Sequence, residues 1–248
     1  MGKIITVLVS LLICTRLMGE KIIAVTEEYP PYNFTDQGKI TGLSTEVVET
    51  MLKKAQVDYL LTSYPWARAY KMAQEDNNVL IYSIGRSEQR EKMFKWVDVI
   101  APYDIYLFKL KERKDIVIKS LNDAKKFKIG VVQDDVRAQF LQAEGFPVST
   151  GNAGIEITAK DESNIKKLEA KRIDMFPIDE VACSYLAKLN GIDFGKLDKA
   201  FKIDKLSSGL YVAFSLKTPD ATVAKCKKAL DEMKKDGSYQ KILDKYLK

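Results

Sequence analysis

The chain has 248 residues, of which 40 are basic and 34 acidic, a net charge of +6, and no histidine. That length makes one large domain or two of ordinary size, and an apolar share of 46% is enough to build a core. The missing histidine excludes Ser-His-Asp and Cys-His nucleophiles, His-ligated zinc or haem, and the usual near-neutral proton shuttle, so a binding protein is favoured over an enzyme.

Residues 1–19 (MGKIITVLVSLLICTRLMG) begin with Lys3 and an apolar run, Ile4 to Ile13, broken only by Thr6 and Ser10. Spanning a bilayer takes about 20 apolar residues, and this run is half that. It reads as the core of a secretory signal peptide, cleaved near Gly19, so the mature protein is expected to be exported. An uncleaved anchor and a lipid-modified Cys14 are the alternatives; the bulky Ile13 suits the second poorly. Residues 1–19 carry two of the basic residues and no acid, so the remainder keeps 38 and 34, a charge of +4. The densest basic stretch, Lys109–Lys114, contains Glu112 and reads as a solvated loop, so no nucleic-acid partner is expected. Cys183 and Cys226 sit among apolar neighbours and are expected to be two separate buried thiols.

The remaining elements follow in chain order. Ile22–Thr26 reads as a buried strand. Glu27–Phe34 (EEYPPYNF) is a loop, because Pro30 and Pro31 cannot donate to a ladder. A helix follows Gly42, with Ser44 as its expected N-cap and Val47, Val48, Met51 and Leu52 facing inward. Val79–Ile84 and Ile105–Phe108 are apolar strand runs, and Lys128–Val132 starts the pattern again. A helix with Val136, Phe140 and Leu141 inward comes next, then a short helix at 164–170, a strand at 173–176, and a helix over Glu180–Leu189 stopped by Asn190-Gly191. Leu210–Phe214 is the last strand. Thr218-Pro219 opens a long helix ended by Gly237, and a closing helix carries Ile242 and Leu243. Alternating strands and helices give an α/β architecture with largely parallel sheets, and the double start suggests two lobes of about 100 residues each, a size sufficient for an independent core.

Four stretches carry a resemblance. They are Tyr29-Pro-Pro-Tyr32-Asn-Phe34 with Gly38–Gly42 and Glu46; Ser87-Glu-Gln-Arg90 with Phe94-Lys-Trp96; Lys128–Gln133; and Gly209–Ala213 through Lys235–Tyr246. In this order and spacing the chain resembles the bacterial periplasmic solute-binding proteins of family 3, the amino-acid receptors of ABC importers. The resemblance implies the type II periplasmic-binding-protein fold, each lobe a mostly parallel sheet flanked by helices. It divides the chain into a first lobe of residues 20–107 and 209–248 and a second of 108–208, with crossings near Ile105–Phe108 and Ser207–Leu210. It further implies a monomer that closes by a hinge on an amino acid or related amine and hands it to an inner-membrane ABC permease or receptor, with no cofactor, metal or catalysis.

The resemblance also assigns a site. Arg90 matches the carboxylate-binding arginine, and Ser87 a hydroxyl beside it; Arg68 and Arg86 are rival guanidiniums. Asp179 matches the amine-binding aspartate and is also a good helix N-cap. Tyr29, Tyr32 and Trp66 match residues that wall the cleft. One departure stands out: where the family often has Gly-Thr-Thr to hold the carboxylate, this chain has Asp134-Asp135-Val136-Arg137, whose acids repel a carboxylate. That leaves room for a cationic, peptide-like or otherwise atypical solute. Two rival functions are a carboxylate-based, dehydratase-like enzyme on the same fold and a ligand-sensing partner of a membrane receptor.

Overall fold

The computed structural model describes residues 21–149 and 151–247; the expected signal peptide, 1–19, lies outside the described residues. In chain order the elements begin β1 (Ile22–Thr26), β2 (Phe34–Asp36), β3 (Lys39–Thr41), α1 (Leu43–Lys54), β4 (Tyr59–Ser63), α2 (Trp66–Glu75), β5 (Val79–Gly85), β6 (Phe94–Ala101) and β7 (Ile105–Leu110). They continue with β8 (Lys128–Val132), α3 (Val136–Ala143), β9 (Gly154–Thr158), α4 (Asp161–Glu169), β10 (Met175–Asp179) and α5 (Glu180–Leu189). The chain ends with β11 (Leu197–Lys202), β12 (Leu210–Ser215), α6 (Asp220–Asp236) and α7 (Ser238–Leu247).

Two five-stranded sheets result, β4-β1-β5-β12-β6 and β9-β8-β10-β7-β11. Written in these directions they share one layout. Each is parallel except for its fourth strand: β12 runs against β5 and β6, and β7 runs against β10 and β11. The chain leaves the first sheet after β6, crosses at residues 102–104, and returns over 203–209. Ile105–Leu107, grouped with the first lobe at the sequence level, therefore pair with strands of the second sheet.

The apolar periodicity maps onto the packing. Leu43, Val47, Val48, Met51 and Leu52 of α1 are buried, as are Cys226, Leu230 and Met233 of α6. Gly237 ends α6 at φ 80°, a left-handed residue that stops a helix at no steric cost. Three details differ from the sequence reading. Gly42, not Ser44, occupies the N-cap of α1, and Pro219 itself, not Thr218, occupies that of α6. The strand expected at 173–176 begins two residues later, and Phe140 is only half-buried. Cys183 and Cys226 are free and buried on helices packed against different sheets, and burial pushes the Cys226 thiol up to about 12.

Candidate functional site

Strands β8, β9 and β10 each run into a helix that starts at an aspartate. Asp135 is the N-cap of α3, Asp161 opens α4, and Asp179 is the N-cap of α5. The Asp135 and Asp179 carboxylates accept from the backbone N–H of Arg137 (2.8 Å) and Ala182 (3.0 Å), as short polar caps do. Arg137 ties the three junctions together. Its Nε donates to Asp135 (2.6 Å), one Nη to Asp161 (2.8 Å) and the other to the Pro177 carbonyl (2.8 Å). Burial opposes its charge, but Asp135 and Asp161 hold its pKa well above the ordinary value.

The first lobe faces this row with the loop after β1. Two prolines stiffen the loop, and their peptide bond is cis. Tyr29 and Tyr32 stack with centroids 5.6 Å apart, and Tyr103 meets Tyr29 edge-on at 6.3 Å. Both hydroxyls reach across to Asp179: Tyr29 donates to Oδ2 at 2.7 Å and Tyr32 to Oδ1 at 2.9 Å. Burial raises the Asp179 pKa, while the bonds from Ala182, Tyr29 and Tyr32 pull it down without cancelling the rise. Glu27, the first residue after β1, is buried too. Burial lifts its pKa well above the ordinary value, and nearby Asp135 and Asp161 add to the rise.

Arg90 sits in a short 3-10 turn after β5 and is 0% exposed. Its Nε donates to the Gln139 side chain (2.9 Å), Nη1 to the Gly85 carbonyl (3.1 Å) and Nη2 to the Asp134 carbonyl (2.8 Å). The guanidinium lies 4.6 Å from the Tyr70 ring and 5.6 Å from Trp66. The same Asp134 carbonyl accepts from Trp66 Nε1 at 3.0 Å. Asp134 presents it from a left-handed backbone, φ 56°, a conformation for which aspartate is enriched. Alongside, Val136 packs onto Gly85 so closely that a Cβ there would stand 2.6 Å from Val136 Cγ1.

The structure thus brings Tyr29, Tyr32, Trp66, Arg90 and Asp179 into one closed interlobe surface. Of the other three candidates, two lie elsewhere and Ser87 borders this surface. Arg68 is exposed and rests on the Tyr64 ring at 4.1 Å. Arg86 is ion-paired with Glu91 and lies beside Trp96 and Tyr211. Ser87 lines a groove of about 330 Å³ shared with Val136 and Phe140, and its hydroxyl has no hydrogen-bond partner among the described residues. Sequence reasoning missed Glu27, Tyr103, Asp161 and Arg137. One signal was available: Glu27 and Asp161 each follow a strand at its C-terminal end, where α/β folds bind ligands. Among the described residues no cluster of three or more Cys, Asp or Glu is arranged to hold a metal.

Comparison with known proteins agrees with the two-sheet fold. An arginine-binding periplasmic protein from Mannheimia haemolytica is 24% identical over 232 residues, 92% of each chain. A lysine/arginine/ornithine-binding periplasmic protein from Escherichia coli (strain K12) is 24% identical over 225 residues, 88% of this chain and 84% of that one. The structure of an ancestral arginine-binding protein bound to arginine superposes with a TM-score of 0.77 at 22% identity, covering 93% of this chain and all of that one. That likeness shows the fold, the type II periplasmic-binding-protein architecture. Residues 22–248, which hold both sheets, match one family model, and the chain belongs to the bacterial extracellular solute-binding proteins, family 3.

Proposed function

We propose that this chain captures an amino acid or related amine between its two lobes, outside the cytoplasm, and delivers it to a membrane ABC importer without chemical turnover. The lobes are the two sheets with their helices, joined at residues 102–104 and 203–209, and they swing about those crossings. One observation carries the reading: two tyrosine hydroxyls of the first lobe converge on a buried carboxylate of the second. When the cleft opens, Asp179 is freed to receive an ammonium, and Tyr29, Tyr32 and Trp66 close over it as stiff apolar walls. The relatives named for arginine, lysine and ornithine support a solute that carries positive charge. A protein exported by its first 19 residues and acting as a monomer fits this role.

The test uses protein unfolded, dialysed and refolded to strip any carried ligand. A thermal-shift panel of amino acids and amines is expected to contain at least one strong stabiliser. Titration should then give a micromolar Kd or tighter, about −8 kcal/mol or better. No shift with any member would overturn the reading.

A further inference from the structure

This inference concerns the motion of the lobes rather than the identity of the solute, and it rests on the opening of the cleft proposed above. We propose that closing the solute-free cleft takes up protons on Asp179 and Glu27, so that acid closes the protein and neutral pH opens it.

Glu27, Asp135, Asp161 and Asp179 meet at the interlobe surface, and they are placed unequally. Asp135 and Asp161 hold the Arg137 guanidinium at 2.6 and 2.8 Å. All three belong to the second lobe, so that pairing outlasts an opening of the cleft. Among the described residues Asp179 and Glu27 have no ion pair, although they are 2% and 9% exposed. Asp179 accepts from the Ala182 N–H and, across the cleft, from the Tyr29 and Tyr32 hydroxyls, none of them charged. Glu27 belongs to the first lobe and meets Asp135 and Asp161 of the second, with Glu28 beside it in the chain; Arg137 offsets them only in part. Arg90 gives bonds to the Gln139 amide and to the Gly85 and Asp134 carbonyls.

Opening reverses these conditions. Water reaches both carboxyls, and Glu27 parts from the acids of the second lobe. A carboxyl in a dry or like-charged surface favours its neutral form, and one returned to water its ionised form. Burial raises both groups in the closed arrangement, and at Asp179 the bonds from Ala182, Tyr29 and Tyr32 and the charge of Arg137 offset it only partly. The Tyr103 hydroxyl and Cys183 thiol also face Asp179, and burial raises both, so they stay neutral. Glu180 and Asp104 nearby are exposed and paired with Lys199 and Lys202. The hydrogen bonds fit a neutral Asp179. Tyr32 has one proton and two acceptors, Asp179 at 2.9 Å and the Pro102 carbonyl at 3.3 Å. A protonated Asp179 donates to the Tyr32 oxygen and leaves that proton for Pro102. At neutral pH the cleft thus stands open, and a cation that bonds Asp179 takes over the role of the proton.

Small-angle X-ray scattering of the stripped protein without solute reads the open and closed fractions, with circular dichroism at each pH to show that the protein is folded. Each proton taken up on closing changes their ratio by up to about tenfold per pH unit between about pH 5 and 8. The wild type is therefore expected to close as pH falls, by up to about a hundredfold per unit for the two groups together. Glu27→Gln and Asp179→Asn keep the side-chain shape, and asparagine caps a helix as well as aspartate does. Each alone should reduce the dependence to at most about tenfold per unit, and both together should abolish it. A wild-type ratio that ignores pH, or that shifts toward the open form in acid, overturns the inference. So does a double variant that responds to pH as the wild type does. The solute panel judges the binding reading separately, so either can fail while the other stands.

Discussion

Glu27 leaves β1 at the edge of a surface where charge of its own sign already prevails. Burial raises its pKa, Asp135 and Asp161 push it further, Glu28 adds a little, and Arg137 offsets only part. A group raised in the folded state contributes its full stability below the ordinary glutamate value of 4.5 and loses it as pH climbs through the folded value. Glu27→Gln removes that loss. The variant's unfolding free energy minus that of the wild type should therefore increase as pH goes from 4.5 to 8, by up to about 1.4 kcal/mol per pH unit where Glu27 titrates. Urea unfolding of both proteins without ligand across that range checks it, and a flat difference would refute the assignment. Asp135 behaves oppositely. Arg137 outweighs its burial and lowers its pKa, so its contribution is lost only as the solution becomes acid.

At the level of elements, the Tyr-Pro-Pro-Tyr loop serves α1 as well as the site. The carbonyls of Pro31 and Tyr32 accept the first amides of α1, from Leu43 at 3.0 Å and Ser44 at 2.8 Å, where a side-chain cap would otherwise act. Gly42 makes this possible. It sits at φ 110°, and a Cβ there would fall 2.5 Å from the Tyr32 oxygen. Gly42→Ala should destabilise the protein by about 1–3 kcal/mol and displace the loop that carries Tyr29 and Tyr32. A urea midpoint unchanged from wild type would argue against the coupling. The same junction explains what the sequence conveys and what it hides. The helix is legible because five apolar residues recur at its period. Its cap is not, because the acceptors lie a dozen residues back on the main chain, and Ser44 only resembles one. Strands β6 (FKWVDVIA) and β11 (LDKAFK) escape notice for a related reason. Each mixes charged side chains into a half-exposed surface, and only their partners β12 and β7 identify them as strands. Asp179 and the two tyrosines stand out through the resemblance, whereas two of the three partners of Arg90, Gln139 and Asp134, lie 49 and 44 residues further along the chain and become visible only once the lobes meet.

For the whole molecule, the two lobes share a strand layout but not a route through the sequence. The second sheet is drawn from one uninterrupted stretch, 105–202, whereas the first places β12, from residues 210–215, between β5 and β6. During synthesis the second lobe has all its strands in hand while the first still lacks a member of its interior. Closing the first sheet also demands pairing across more than 100 residues, and such non-local contacts form slowly. Refolding from urea should therefore protect the amides of β8 and β10 before those of β1 and β5 in pulse-labelling hydrogen exchange. Simultaneous protection of both sets would contradict this order. The late strand also decides when the first lobe can close. As long as β12 is held back, β5 and β6 cannot pair through it. The first sheet thus stays incomplete until β12, residues 210–215, has been made.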